Sequence, residues 1–367
     1  MKKNSSFGGS ARTRFVGLDL ADKSSKFIGI DGRGGQTEEG AVAMTPAGLE
    51  RAFGGRQRCR IALETGTHSP WVSLALTEMG HEVIVANPRQ VALIYRNKRK
   101  SDRIDARLLA RLARSDPELL YPIRHRSKQA QIDLAVLRSR DLVVRTRTRL
   151  INHVRSVVKS HGERLPSCGA DAFAKKGAAF IPAALKPALS PLVDQIAGLT
   201  ATIKGYDQEI EAMLERYREA AVLRQVDGVG PLTALVYILT LEDPARFATN
   251  RDVPAYLGLV PGRKQTGASD PEMHITKAGD AFVRKTLVQA AQHVMGRFGA
   301  DCDLRRWGLR LAGISATPGG GLTKGSKQRK KKAVVAVARK LAVLLHALWR
   351  TGEVYEPFRQ AEKKEAA

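Results

Sequence analysis

Cysteine is scarce in this chain. Only Cys59, Cys168 and Cys302 occur, odd in number and far apart. They make neither a disulfide framework nor a zinc-ligand spacing, and a reduced cytoplasm is the compartment that fits. Long apolar runs are missing too. No stretch approaches the roughly 20 uninterrupted residues needed to cross a bilayer, so no membrane helix is expected. Met1 to Arg14 carries basic residues without an apolar segment, which argues against a secretory signal. Acids are in deficit: 36 Asp and Glu stand against 61 Lys and Arg, a formal net charge of +25. So basic a chain points to a polyanionic partner, nucleic acid first and an anionic membrane second. The plain alternative is a basic soluble protein with no such partner.

What is present reads as globular. Apolar residues make up 43% of 367, enough for two or three packed units. The first unit spans about residues 13–123. Arg14 to Leu20 is a short apolar strand carrying Asp19 near its end, and Lys26 to Ile30 follows a polar turn at Asp22 to Ser25. Arg60 to Glu64 is another strand that closes on an acid. A helix over about Pro70 to Met79 and a strand over Glu82 to Ala86 come next. Strands alternating with helices predict an α/β layer structure.

The second unit, 124–219, is helical. Leu189, Leu192, Ile196, Leu199, Ile203, Tyr206, Ile210, Met213 and Tyr217 step by threes and fours, a heptad seam of coiled-coil type. Ser190-Pro191 reads as the helix start, and a helix over about Lys128 to Ser160 is a natural partner. The Gly, Ala and Pro-rich stretch Gly162 to Pro187 reads as a loop. The pair is either an intramolecular hairpin or a dimerisation arm. The third unit spans 220–358. It opens with Val226-Asp227-Gly228-Val229-Gly230-Pro231, a helix-hairpin-helix-like turn whose Gly228 and Gly230 amides suit a DNA phosphate. A plain turn before a core helix is the other reading. Gly319 to Lys332 reads as a mobile basic loop.

Four carboxylates carry the chemistry. Asp19 and Glu64 end apolar strands, which sets them at one sheet edge. Asp102 and Asp105 sit in Lys100-Ser101-Asp102-Arg103-Ile104-Asp105-Ala106, where Ser101 can cap a helix and a spacing of three puts both acids on one face. Hard oxygen ligands in this number suit a two-metal Mg²⁺ site for phosphodiester chemistry. Arg99, Lys100 and Arg103 around them suit the phosphate. Singly, Asp102 or Asp105 is more often a helix cap or dipole partner, and Asp19 can simply end a strand; the order and basic setting favour the site.

Val16-Gly17-Leu18-Asp19, Ala62-Leu63-Glu64-Thr65-Gly66 and Lys100 to Ala106 together resemble the DEDD transposases of the insertion-sequence-110 family, relatives of the Piv invertase. The likeness continues through Leu257 to Pro261, Ile275 to Asp280, Arg305 to Leu309 and Ala333 to Trp349, nearly the whole chain. It implies a RuvC-like (RNase H-like) N-terminal domain, a coiled-coil linker and a mainly α C-terminal transposase domain. It implies Mg²⁺, or Mn²⁺ in its place, on Asp19, Glu64, Asp102 and Asp105. It also implies a serine nucleophile in the C-terminal domain and an element-encoded structured RNA that pairs with donor and target DNA. The coiled coil offers a route to a homo-oligomer, dimer or tetramer.

One departure matters. The family's serine position, shortly after Gly258-Leu259-Val260-Pro261, is occupied here by Thr266, with Ser269 three residues on. Either hydroxyl can be a nucleophile, or this copy is impaired. Lys277, Arg284 and Lys285 follow on an expected helix, as a phosphate clamp or as a solvated face. Two rival functions stay open: a RuvC-like junction nuclease using water alone, and an inactive nucleic-acid-binding protein.

Overall fold

The computed structural model describes residues 13–88, 101–267, 269–271, 273–315, 323 and 325–359. The contacts divide the chain into two units, one ending at Arg126 and one starting at Ser127.

The first unit is built on a five-stranded sheet. Its strands are β1 (Phe15–Asp19), β2 (Ser24–Ile30), β3 (Gln36–Ala43), β4 (Arg60–Glu64) and β5 (Glu82–Ala86), in the order β3-β2-β1-β4-β5. The first three are antiparallel, and β4 and β5 run parallel to β1. Alternating side chains divide between two faces. Val16, Leu18, Ile61 and Leu63 pack with Leu49 and Phe53 of α1 (Pro46–Phe53) and Val72 and Leu76 of α2 (Ser69–Glu78). On the other face Ala62 and Ile84 pack with Leu109 and Ala113, and Ile28 and Ile30 with Ala106 and Ala110, all of α3 (Asp102–Ser115). This sheet order, with helices on both faces, fits a ribonuclease H-like domain.

Two elements of this unit were not expected from the pattern: β3, rich in Glu and half-buried, and α1, capped by the Thr45 hydroxyl. The polar turn before β2 is also shorter than expected, because Ser24 and Ser25 already pair with Ala43 and Val42.

The second unit is helical among its described residues. The helices α4 (Lys128–Ser160) and α6 (Lys186–Arg216) lie antiparallel, with Arg140 on Asp207 at 2.6 Å and Arg147 on Thr200 at 3.2 Å. The seam is buried or half-buried throughout, and its distal part, with Leu189 and Ile196, packs on Ile151, Val154 and Val158. At the other end Leu134, Leu137, Ile210 and Met213 share one apolar core with α8 (Pro231–Leu241) and α12 (Lys327–Thr351). The short α7 (Ala220–Leu223) and α9 (Asp252–Tyr256), with α10 (Ala281–Val294) and α11 (Asp303–Ala312), complete this unit.

Three expectations are corrected here. Helix α6 starts at Lys186 rather than at Ser190-Pro191. Pro187 occupies its first turn, and burial of Leu189 and Val193 extends the helix through Pro191. The stretch Gly162 to Pro187 is not wholly loop: it holds α5 (Phe173–Ala178), anchored by the 1%-exposed Phe173. Lys327 and Arg329 to Lys332 open helix α12 rather than filling a basic loop, while 316–322 and 324 lie outside the described residues.

Candidate active site

Leu18 pairs with Leu63 in the parallel β1–β4 ladder, so Asp19 and Glu64 close the two strands side by side. The side-chain alternation puts both on the α3 face. Asp19 shares the parity of Gly17 and Glu64 that of Ala62, and both small residues lie under α3.

The direction of α3 follows from two contacts. Gly17 lies against Ala106 near the helix start, and Arg60, at the beginning of β4, donates to the Ala113 carbonyl at 3.1 Å near the helix end. The helix therefore runs opposite to β1 and β4, and its first turn arrives at the edge that holds Asp19 and Glu64. Ser101 caps it as expected, accepting from the Ile104 amide at 3.4 Å.

The acid pair differs in burial. Asp105 is 4% exposed, on the stripe with Ala106, Leu109 and Ala113, whereas Asp102 is solvent-exposed. Three residues is 300° of helix, which sets Asp102 within 60° of Asp105 and on the same side as Ala106; its exposure comes from its place at the first helical position, where no helical turn precedes it. Arg103 points away to an ion pair with Glu39 at 2.8 Å. Arg99 and Lys100 lie outside the described residues.

One group at this edge was missed in the sequence. His68, in the loop after β4, accepts at Nδ1 from the Trp71 indole N–H at 3.0 Å, and its Nε2 lies 3.7 Å from Asp22. The Trp71 bond assigns the proton to Nε2. The only signal was a His four residues beyond a strand-end acid, which many structural histidines share.

Among the described residues no three His, Cys, Asp or Glu side chains are gathered closely enough to hold an ion. Like-charged carboxylates repel until a cation neutralises them. The acids on this edge offer oxygen donors, which fit a hard divalent ion such as Mg²⁺.

In the second unit Thr266 and Ser269 face each other across a turn. Each amide donates to the other's carbonyl, at 3.0 and 3.1 Å, with Gly267 between them at φ +57°. The turn ends a short arm whose base pairs Pro261 with Ile275 and whose Gly262 amide donates to the His274 carbonyl at 2.8 Å. Both hydroxyl residues are exposed, and Arg263 is paired with Asp270 at 3.3 Å beside them.

The cations expected to serve them are placed differently. Lys277 is not helical: it sits in the loop before α10 with φ +53°. The Arg284 guanidinium donates to the carbonyls of Leu257, Ala278 and Asp280, so it pins the base of the arm. Lys285 is ion-paired with Asp141 of α4. Gly228 has φ +82°, a conformation that favours glycine, and little room for a side chain, with the Ala290 carbonyl 3.0 Å from where a Cβ would stand. Gly230 is the N-cap of α8.

An acid-edged α/β sheet followed by a helical unit fits a DNA-transposing enzyme, and the comparisons give that class. A family model described as transposase matches residues 16–162, and a second, described as the transposase IS116/IS110/IS902 family, matches 220–305. The chain is 29% identical to a probable family 20 transposase of Pseudomonas aeruginosa, over 93% of this chain and 98% of that one. It is 30% identical to the putative transposase y4pF/y4sB of Sinorhizobium fredii, over 82% and 75%. It is 24% identical to the transposase for insertion sequence element IS1111A of Coxiella burnetii, over 93% and 91%. The chain belongs to the IS110 family of transposases, enzymes of DNA strand cleavage and transfer. No helix among the described residues is long and apolar enough to cross a membrane.

Proposed function

We propose that this transposase cuts and rejoins DNA with a divalent-metal site on Asp19, Glu64, Asp105 and Asp102 and a hydroxyl nucleophile at Thr266, with Ser269 as the substitute. The observation that supports this most is the convergence of Asp19, Glu64 and the first turn of α3 on one edge and one face of the sheet. Mg²⁺ there would act as a Lewis acid toward a DNA phosphate. Asp19, Glu64, the buried Asp105 and the exposed Asp102 would hold and orient it.

The hydroxyl of Thr266 attacks the scissile phosphorus. One P–O bond to the enzyme forms as one P–O bond of the strand breaks, the leaving oxygen takes up a proton, and the phosphodiester energy is kept for rejoining. The Gly228–Gly230 turn would hold a backbone phosphate at the start of α8. An element-encoded structured RNA selects donor and target, and a homo-oligomer brings two sets of sites together. The test combines purified protein, element ends, the element's non-coding RNA and Mg²⁺, scored for joined DNA. Joined product that requires all four acids and the RNA supports the reading. Joining without metal or without the RNA removes that part of it.

A further inference from the structure

Far from the arm and its hydroxyls in sequence, α11 and α12 enclose a cleft of about 720 Å³ whose floor is apolar: Leu304, Trp307, Val343 and Leu344. Its mouth is cationic. Lys340 holds its ammonium 3.9 Å from the centre of the Trp307 ring, and Arg251 and Arg339 also line the opening.

None of these three cations makes an ion pair among the described residues; two acids, Asp303 and Glu356, line the cleft with them, and Glu356 lies 3.9 Å from Arg359. Burial, and then the positive charge of Arg310, push the Lys340 ammonium below its ordinary range. The fourth lining cation, Arg359, is already occupied by Glu353 at 3.2 Å. The cleft therefore offers an aromatic face, apolar walls and an excess of positive charge, with Arg251, Arg339, Lys340 and Arg359 against Asp303 and Glu356.

A ligand that complements it has a flat apolar body and an anionic group a few ångströms away. A nucleotide has both, provided that its base is not paired. Base stacking on an aromatic side chain and phosphate contact with Lys and Arg are how single strands are held. Duplex DNA presents its phosphates but keeps its bases stacked, and it cannot fill an apolar cleft of this kind.

We propose that the α11–α12 cleft binds an unpaired DNA nucleotide, its base in the pocket against Trp307 and its phosphate on Lys340 and Arg339. This rests on the family's DNA substrate and is independent of which acids hold metal and which hydroxyl attacks. Strand cleavage exposes unpaired nucleotides, and a pocket for one would hold a cut strand between cleavage and rejoining. A base docked there replaces the Lys340 ammonium on the indole face and supplies that ammonium with a counter-ion.

The test uses the full chain and needs no recombination. A fluorescent single-stranded oligodeoxythymidylate and a duplex of equal length are titrated at fixed salt against the wild type, Trp307→Leu and Lys340→Gln. Trp307→Leu is expected to weaken single-strand binding about ten-fold or more, the usual value of one stacked base, and to leave duplex binding within about two-fold. Lys340→Gln, a change at the exposed mouth, should weaken the single strand and lower its salt slope by about one. A 5-iododeoxyuridine oligonucleotide irradiated in the complex should crosslink at Trp307, mapped by mass spectrometry. Unchanged single-strand affinity in both variants overturns the proposal. So does an equal loss for duplex, a crosslink only outside the cleft, or an RNA oligonucleotide bound more tightly than DNA at this site. Equal loss of joined product in variants that keep single-strand binding would bear on the proposed chemistry and leave the pocket standing.

Discussion

Gly17 of β1 lies directly under Ala106 of α3: a Cβ on Gly17 would fall 1.8 Å from the Ala106 carbonyl oxygen and 2.6 Å from the Ala110 amide nitrogen. The obstacle is backbone, which cannot rotate away. Gly17→Ala must lift the first half of α3 off the sheet. The expected cost is about 3 kcal/mol, the upper end for an overpacked core, read by urea unfolding. Because the lifted turn carries Asp102 and Asp105, strand transfer should fall further than the stability loss explains at temperatures where the variant is folded. A Gly17→Ala protein with wild-type stability would contradict the close packing that sets the site.

The acids themselves give a second expectation. Asp105→Asn keeps the shape of the side chain and removes its charge. Even partners that only orient a metal's ligands are worth about 10- to 100-fold, so a lost ligand should cost about 100-fold or more in joined DNA. Asp102→Asn should cost a similar factor while leaving the unfolding midpoint unchanged, since Asp102 is exposed. Isothermal titration of Mg²⁺ or Mn²⁺ into each variant separates lost metal from lost fold. Full recombination by Asp102→Asn would remove it from the metal site.

How far these residues could be read beforehand follows from what decides each one. Asp19 and Glu64 were legible because strands ending in acids have one simple geometry. Helix α3 was legible from Ser101 and its apolar period, but the burial of Asp105 and exposure of Asp102 were not, because both depend on how far the first turn of the helix reaches past the sheet edge. Strand β3 was missed because a sequence such as Glu38-Glu39-Gly40 has poor strand propensity; pairing with β2 and the Glu38–Arg56 ion pair at 2.7 Å override it. The role of Arg284 was illegible for a different reason: its three carbonyl partners come from a loop whose path depends on Gly258 and Gly279 in left-handed conformations.

Alkaline pH should weaken the first unit through Cys59. The thiol is 5% exposed beside His81, and burial pushes its pKa from 9.0 up to about 11. In the unfolded chain it ionises near 9, in the folded one near 11. Its contribution is complete below pH 9 and is lost as the pH rises toward 11. Two pKa units correspond to about 2–3 kcal/mol. Urea unfolding at pH 8 and pH 10.5 should show a smaller decline for Cys59→Ala than for the wild type. Identical declines would mean that the thiol ionises freely in the fold.

Charge sets the response to salt. With a net charge of +25, DNA binding should proceed largely by release of counterions. An interface neutralising six or more phosphates loses about 10³-fold in affinity between 50 and 200 mM salt. Fluorescence anisotropy with an element-end duplex measures the slope. A slope near zero would exclude a phosphate-dominated interface.

The last expectation separates a recombinase from a nuclease. If a hydroxyl attacks phosphorus, the enzyme is joined to a DNA strand until the strand is passed on, whereas attack by water leaves no such link. Denatured reaction mixtures should contain DNA covalently bound to protein, and proteolysis with mass spectrometry should locate it on the turn at 266–269. Thr266→Ala should abolish the adduct, and Thr266→Ser should keep or raise it, because serine presents the same oxygen without the methyl group that crowds phosphorus. The exchange of backbone hydrogen bonds between Thr266 and Ser269 sets both hydroxyls on one exposed turn. Adduct found on Ser269 in the wild type would therefore move the role three residues without moving the site. Cut DNA with no adduct in any variant would leave water as the nucleophile and a RuvC-like nuclease as the better account of the four acids.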